Sequence, residues 1–261
     1  MFLVIDIGGT KTLIAAFDKR GKKVKSFKFP TSKNQDSFLT DLLQNLKDFQ
    51  KFPVQKIVIA LPGKISGISF KLGNLSWENQ KLSFFKPLKN LFEDTPIIFM
   101  NDANLATYYE AHRYRKKTVY LTFSTGIGGG IARGGKLLPE SSAFEPGHQK
   151  YTFNGQLLEW EDIASANAIG ATYGCQATDV KGKMAFVDIA ERMTLGLTPI
   201  IKNIKPSTII IGGPMGMIFP KFYKSLLKEL KKSNSKLPKI VPAKHPTESV
   251  VYGGYLYAKK H

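Results

Sequence analysis

Two glycine-rich segments, one near the start of the chain and one near its middle, constrain the fold more than any other feature. The first is IDIGGTKTLIAAF at residues 5–17, and the second is FSTGIGGGIAR at residues 123–133. In each, a short apolar run enters a glycine turn and a second short apolar run leaves it, which is the pattern of a β-hairpin. The recurrence of this pattern predicts two related halves.

The segments that follow each hairpin support this division. Apolar runs at residues 56–61 and 96–100 predict strands, and helical spacing at residues 38–49 and 103–114 predicts helices. A similar set follows the second hairpin, with a strand at residues 207–212 and helices at residues 184–201 and 219–230. We therefore predict an α/β protein with domains at residues 1–115 and 116–261, and a ligand-binding cleft between them because inter-domain clefts are preferred binding sites.

Composition indicates where in the cell the protein is expected and which partners its charge could attract. The 261 residues include one cysteine, Cys175, and no apolar run approaches the roughly 20 residues of a membrane-spanning helix. These features predict a cytoplasmic protein without disulfides or membrane contact. The net charge of +18 is concentrated at residues 19–28, 113–117 and 221–239. Two explanations stay open, an anionic partner or solvated surfaces, and the absence of a nucleic-acid-binding motif favours the second.

The first glycine turn suits a bound phosphate. Adjacent glycines let backbone N–H groups approach a phosphate closely, and the neighbouring threonines and lysine add hydroxyl donors and positive charge. Asp6, at the end of the preceding strand, is placed to face a Mg²⁺ ion held by the phosphates. A plain hairpin turn is the alternative. The candidate nucleotide-binding residues here are Gly8, Gly9, Thr10, Lys11 and Thr12.

The second glycine turn supplies a further set of backbone donors. A dinucleotide fingerprint is excluded because a strand, and not a helix, follows the glycines. The two loops could grip one polyphosphate from both sides. The candidate residues are Thr125, Gly126, Gly128 and Gly129.

Acidic and polar residues outside the glycine loops are candidates for binding the hydroxyl groups of a substrate and for accepting a proton from one of them. Asp102 follows an apolar strand and opens a helix, where its carboxylate could take a proton from a hydroxyl group, although Asn101 or Asp102 could instead simply cap that helix. Glu145, His148 and Glu161 carry groups that hydrogen-bond well to sugar hydroxyls.

Eight stretches together resemble one family. They are DIGGTKT at 6–12, PG at 62–63, NLSW at 74–77, NDANLATYYEA at 101–111, STGIGGGI at 124–131, EPGH at 145–148, EDIASANAI at 161–169 and IIIGGP at 209–214. In this order they resemble the ROK family of sugar kinases and repressors, within the actin-like and hexokinase-like ATPase superfamily.

The resemblance implies two ribonuclease-H-like domains that close on ATP and a sugar in the cleft between them. It implies that Asp102 is the catalytic base, that the two glycine loops bind the phosphates, and that Gly212 and Gly213 lie against the adenosine. It further implies a sugar site. The residues of that site are Gly63, Asn101, Asp102, Glu145, His148 and Glu161.

The expected activity is phosphorylation of glucose to glucose 6-phosphate by ATP and Mg²⁺, in a homodimer that binds no nucleic acid. The alternatives are a kinase for an N-acetylhexosamine or fructose, a polyphosphate-dependent glucokinase, and a non-catalytic sugar-sensing regulator. The repressor branch carries a helix-turn-helix before the first loop, and none precedes it in this sequence.

One segment departs from the family pattern. Where typical members place three cysteines that bind structural zinc together with the histidine, residues 149–161 read QKYTFNGQLLEWE. We therefore predict no structural zinc, since such sites need four ligands. Packing by Leu157, Leu158 and Trp160 is expected to replace the metal. The change leaves Glu159 as an alternative to Glu161 for the sugar contact.

Overall fold

The chain forms two compact units in the computed structural model, which describes residues 1–67, 69–71, 77, 81–93 and 95–261. The first unit comprises Met1–Tyr109 and Val250–His261, and the second comprises Glu110–Ser249. Residues 74–76 of the NLSW motif lie outside the described residues, whereas Trp77 is buried in the core of the first unit.

Short strands account for both sheets and two small hairpins. The described strands are β1 (Phe2–Ile7), β2 (Lys11–Phe17), β3 (Lys23–Pro30), β4 (Lys56–Leu61), β5 (Lys64–Ser66), β6 (Ser69–Lys71), β7 (Ile97–Asn101), β8 (Thr118–Phe123), β9 (Ile127–Arg133), β10 (Lys136–Leu137), β11 (Lys150–Phe153), β12 (Gln156–Glu159), β13 (Thr208–Gly212) and β14 (Lys239–Pro242).

Helices cover the sheets. They are α1 (Gln35–Lys47), α2 (Leu88–Leu91), α3 (Asp102–Ala111), α4 (Trp160–Ala164), α5 (Ala166–Tyr173), α6 (Lys183–Ile204), α7 (Gly213–Met217), α8 (Phe219–Ser233) and α9 (Ser249–Lys260). Short 3₁₀ helices occupy Leu82–Phe85, Pro139–Ala143, Pro146–His148 and Ala177–Asp179. Across the described ranges, no helix combines the length and apolar character needed to cross a membrane.

The first unit is built on a five-stranded sheet in the order β3-β2-β1-β4-β7. Strands β1, β2 and β3 are antiparallel, whereas β1, β4 and β7 run parallel. Successive side chains of a strand point to opposite faces. Accordingly, Ile5 joins an apolar cluster with Phe38 of α1, and Val4 joins a different cluster with Tyr255 of α9. The sheet is therefore covered on both faces.

The second unit repeats this arrangement in the order β10-β9-β8-β13-β14. Strands β8, β9 and β10 are antiparallel, and β8, β13 and β14 are parallel. Strand β13 is buried along its whole length, as expected for a central parallel strand. Its Ile209 and Ile211 share a cluster with Met193 of α6 and Leu226 of α8. The two sheets have the same strand order and directions, which confirms the predicted pair of related α/β halves.

The division between the units differs from the one expected at residue 115. The contacts separate residues 109 and 110, and they assign the C-terminal helix α9 to the first unit. Two glycines explain the close approach of this helix: a Cβ on Gly253 would overlap the backbone of Leu105, and one on Gly254 would lie 2.5 Å from a methyl group of Val4. A division by chain order could not anticipate this packing.

Candidate active site

The first glycine loop joins β1 to β2 and exposes Thr10 and Lys11. The Gly8 N–H donates to the Lys11 carbonyl oxygen at 3.0 Å, and a Cβ on Gly8 would lie 2.9 Å from that oxygen. The Gly8 N–H is thus used inside the turn, while Gly9 is half-buried beside it. The tightness of the turn accounts for Gly8 and presents Thr10 and Lys11 to solvent, where a phosphate could reach them.

Thr12 does not lie on this exposed surface. Its side chain has no accessible area, and its hydroxyl oxygen is 2.8 Å from that of Thr31. A side chain without accessible surface cannot contact a nucleotide unless the strand moves. Thr12 therefore supports the loop from beneath, which corrects its assignment to direct nucleotide binding.

Asp6 is a half-buried carboxyl group on β1. Burial of the carboxyl group and, to a smaller extent, the negative charge of Asp102 together raise the pKa of Asp6 to about 8, with Lys28 opposing the increase. A divalent cation beside Asp6 and Asp102 would offset both the burial of the Asp6 charge and its repulsion by Asp102. Oxygen ligands are those that Mg²⁺ prefers. The residues present thus fit the predicted Mg²⁺ site near Asp6.

The end of β7 and the start of α3 place Asn101 and Asp102 side by side. The Asn101 amide donates to the Gly63 carbonyl at 2.8 Å, and its Oδ1 accepts the Asn104 N–H at 2.8 Å. Asn101 is therefore the residue that caps α3, with a hydrogen bond three residues into the helix. The Asp102 Oδ1 accepts the adjacent Ala103 N–H at 2.7 Å, which fixes this half-buried carboxylate at the end of the sheet.

The second glycine loop leaves β8 and returns as β9. The Ser124 N–H donates to the Gly126 carbonyl at 2.9 Å, and Thr125 is exposed at the tip. Gly128 is half-buried, whereas Gly129 is buried and a Cβ there would lie 2.6 Å from the Tyr120 carbonyl oxygen. Packing between strands accounts for Gly129, so the loop tip is the part that remains available to a phosphate.

Glu161 lies against this loop. Its Oε2 accepts the Ile127 N–H at 3.1 Å. A Cβ on Gly126 or on Gly147 would lie 2.5 Å from the same oxygen. Two glycines from different segments therefore make room for one carboxylate, which accounts for Gly126 and Gly147 and fixes Glu161 in place.

His148 is paired with Glu159 on the surface of the second unit. The Nδ1 atom of His148 is 2.8 Å from Glu159 Oε2, and the two side chains are 55% and 34% exposed. The hydrogen bond with Glu159 raises the pKa of His148, burial opposes this, and the charges of Glu161 and Glu145 add to the increase. Glu145 is exposed beside this pair.

The segment that replaces the cysteine-rich pattern is the β11–β12 hairpin. Trp160, which follows it, is fully buried, but Leu157 is 67% exposed, so the predicted packing by Leu157 is wrong. Ligand atoms of His148, Glu159 and Glu161 all lie within 4.8 Å of one another, so these side chains could hold a metal ion. One nitrogen and two oxygens fall short of the four ligands of a structural zinc site.

Metal analysis tests this interpretation. We expect the purified protein to contain no stoichiometric zinc, to keep its melting temperature in a chelator, and yet to need added Mg²⁺ for turnover. The reason is that the buried Trp160 and the hairpin, and not a metal, hold this segment in place. Elemental analysis with thermal melts before and after chelation would measure this. One tightly held zinc per chain would contradict the prediction.

Gly212 and Gly213, at the end of β13, are buried. A Cβ on Gly212 would overlap the Tyr120 hydroxyl, and Gly213 has a φ of +69° with its N–H donating to the Pro246 carbonyl at 2.7 Å. Packing and backbone conformation account for both glycines. Their assignment to adenosine stays a prediction.

Sequence reasoning missed a fully buried carboxylate at Glu110. It accepts hydrogen bonds from the backbone of Lys244 and His245, from the Ser249 hydroxyl and from Arg113. Apart from Arg113, which is three residues further along the chain, these partners lie 134 to 139 residues away in sequence, so no local pattern signals them. The network is structural, and it pairs Arg113 of the basic 113–117 segment, whose side chain is 44% exposed, with the buried Glu110 carboxylate.

Other basic residues of that segment line an open depression of about 580 Å³ at the start of β8. Lys117 Nζ donates to the Ile204 carbonyl, at the end of α6, over 3.3 Å. Cations commonly stabilise helix C-termini in this way. The cations that line the depression are Arg115, Lys116, Lys117, Arg133 and Lys205.

Repeated five-stranded sheets, each opening with a glycine hairpin, define the actin-like ATPase class of folds. The ROK family model matches residues 2–261, and the chain therefore belongs to the ROK family. It is 30% identical over 244 residues to an N-acetylmannosamine kinase from Escherichia coli, an alignment that covers 82% of this chain and 83% of that protein.

Solved structures agree on the fold. The chain is similar to a ROK family glucokinase from Streptomyces griseus in complex with glucose and AMPPNP, with a TM-score of 0.80, 20% identity and coverage of 99% and 100% of the two chains. It is also similar to an inorganic polyphosphate/ATP-glucomannokinase from Arthrobacter sp. strain KM, with a TM-score of 0.77, 22% identity and coverage of 100% and 99%.

Proposed function

We propose that this chain is a sugar kinase that transfers the γ-phosphoryl group of ATP to a hexose hydroxyl, with glucose 6-phosphate as the favoured product. The observation that carries the proposal is the position of Glu161. A carboxylate suited to sugar hydroxyls accepts a hydrogen bond from Ile127, at the base of the loop that is suited to phosphate. Phosphoryl transfer requires this closeness of acceptor and donor sites.

In the proposed reaction, Asp102 accepts the proton of the attacking hydroxyl group, most favourably the 6-OH. The sugar oxygen forms a bond to the γ-phosphorus as the bond to the β,γ-bridging oxygen breaks, and ADP leaves. Mg²⁺ near Asp6 would neutralise charge on the phosphates. The backbone N–H groups and exposed side chains of the two loop tips would stabilise the negative charge of the transition state.

The sugar contacts proposed for the second unit are Glu161, His148 and Glu145, with Asn101 and Gly63 contributing from the first. Glu161 is favoured over Glu159 because Glu159 is paired with His148. Cys175 is exposed and unpaired, which is compatible with a reducing cytoplasm. A homodimer is proposed as the working assembly.

Particular observations favour each alternative acceptor sugar and phosphate donor. The similarity to an N-acetylmannosamine kinase favours an N-acetylhexosamine as the second candidate, with fructose as a third. The polyphosphate/ATP-glucomannokinase fold and the basic depression favour polyphosphate as the alternative donor. An enzyme is favoured over a sugar-sensing regulator, because Asp102 offers a half-buried carboxylate, held by the Ala103 N–H, that could serve as the base.

A coupled assay across hexoses and N-acetylhexosamines, with ATP or polyphosphate at low and high salt, tests the proposal. We expect glucose with ATP to give the fastest turnover at both salt concentrations. Surface attraction of a polyanion is screened beyond about 8–10 Å at physiological salt, so polyphosphate use should fall as salt rises.

The control for the donor is a variant with Arg115→Gln and Lys116→Gln, which reduces the charge of the depression and leaves the loops unchanged. It should not alter turnover with ATP. If polyphosphate were faster than ATP at both salts by more than about tenfold, roughly 1.4 kcal/mol in the barrier, the donor assignment would be wrong. Failure to phosphorylate any sugar would contradict the proposed function itself.

A further inference from the structure

The β11–β12 hairpin brings Glu159 back to His148, eleven residues earlier in the chain. Lys150 pairs with Glu159 across the hairpin, and the Trp160 N–H donates to the Gln149 carbonyl at 2.8 Å. These backbone contacts set the carboxylate of Glu159 beside the imidazole ring, at 2.8 Å from Nδ1. The contact is therefore specified by the register of the hairpin.

We infer that Glu159 is a positioning residue, which holds the His148 ring by Nδ1 so that Nε2 is the atom left to bind the sugar. The inference rests on the proposed function, because it assigns the orientation of one proposed sugar contact. A carboxylate that accepts the hydrogen from Nδ1 fixes both the ring orientation and the tautomer of a histidine. In the neutral ring, Nε2 is then the acceptor for a hydroxyl hydrogen of the sugar.

A contribution to folding stability does not explain the pairing of His148 with Glu159. Both side chains are substantially exposed, and exposed ion pairs contribute little to folding. The hairpin is anchored independently by Trp160, which is fully buried, packs edge-on against Phe123 and donates its indole N–H to the Arg192 carbonyl at 3.1 Å. Removing the Glu159 carboxylate should therefore leave the segment folded.

Glu161 and Glu159 have different contacts and therefore different proposed roles. Glu161 is held by the Ile127 N–H between two glycines, while Glu159 faces the histidine. In the sequence pattern that this chain resembles, cysteines and a zinc ion occupy the segment after the histidine. Here Glu159 lies in that segment, and its carboxylate is the hydrogen-bond partner that fixes Nδ1 of His148.

The test compares Glu159→Gln and Glu159→Ala with Glu140→Gln, an exposed glutamate elsewhere in the same unit. Loss of an ordinary hydrogen bond corresponds to roughly 2–12-fold. We expect both Glu159 variants to raise KM and Kd for the sugar by about that factor, with the alanine variant at the upper end. The KM for ATP, the melting temperature and kcat should stay within about twofold of the wild type, and Glu140→Gln should change none of them.

A second readout does not depend on turnover. The sequence has four histidines, so the ¹⁵N imidazole signals can be assigned with a His148→Ala variant. We expect the His148 signal of the wild type to report the tautomer with the hydrogen on Nδ1, and this preference to weaken in both Glu159 variants. That result would hold even if the chain phosphorylated none of the sugars tested, which separates it from a failure of the proposed function.

Three results would overturn the inference. One is a His148 tautomer that does not change when Glu159 is replaced. Another is a changed tautomer with unchanged sugar affinity, which would show that the pair positions nothing for the substrate. The third is a stoichiometric divalent cation whose removal shifts the His148 signal, which would make the cluster a metal site.

Discussion

Replacing Asp102 by asparagine is expected to lower kcat by about 10²–10⁴ while sugar and ATP binding are retained, because a general base contributes about that much to rate. Asparagine keeps an oxygen that can accept the Ala103 N–H, and Asn101 rather than Asp102 caps α3, so the helix should remain in place. Steady-state kinetics with direct binding of both substrates would measure the effect.

The matched control is Asp36→Asn. Asp36 is an exposed carboxylate in the first turn of α1, in the same unit, and its replacement should leave kcat unchanged. A second readout is Asp6: its pKa should fall when the negative charge of Asp102 is removed, although burial keeps it above the usual range. Undiminished turnover of Asp102→Asn would remove Asp102 from the mechanism.

Replacing Glu161 by glutamine should raise the KM for the sugar by roughly 10–100-fold. A hydrogen bond to a charged group contributes about 1.5–3 kcal/mol, and the substitution removes the charge at a site where two glycines hold the side chain in place. The KM for ATP should change much less. Kinetics with each substrate varied in turn would separate the two effects.

Asp162→Asn is the control for Glu161, because it removes an exposed carboxylate one residue along the same helix. It should leave both KM values unchanged. An unchanged sugar KM in Glu161→Gln, together with a large increase in Glu159→Gln, would reverse the roles assigned to the two glutamates.

Much of the fold could be predicted from the sequence because its signals are local. The apolar runs on either side of each glycine turn favour hairpins through residues that are close together in the sequence. The recurrence of the hairpin indicated two related halves, and the two sheets share one strand order. Asp102 could also be identified as a candidate from the sequence, because it lies between a predicted strand and a predicted helix.

The roles of individual glycines and threonines were harder to predict from the sequence. Gly129, Gly212 and Gly213 were assigned to a nucleotide from their motifs, whereas contacts with Tyr120 and the backbone already account for glycine at these positions. Thr12 belongs to the same motif as the exposed Thr10, yet its hydroxyl is buried against Thr31. A motif records which residue types recur together but not which of them face the ligand.

The sequence by itself determined the hairpins, the repeated order of strands and helices, and the acidic and glycine-rich stretches from which a site could be built. Only the tertiary structure decided that α9 packs on the first sheet and that Glu161 lies between Gly126 and Gly147. The physical reason is distance along the chain. Hairpins and helices depend on neighbouring residues, whereas each of these contacts joins segments that meet only after the sheets and their covering helices have packed.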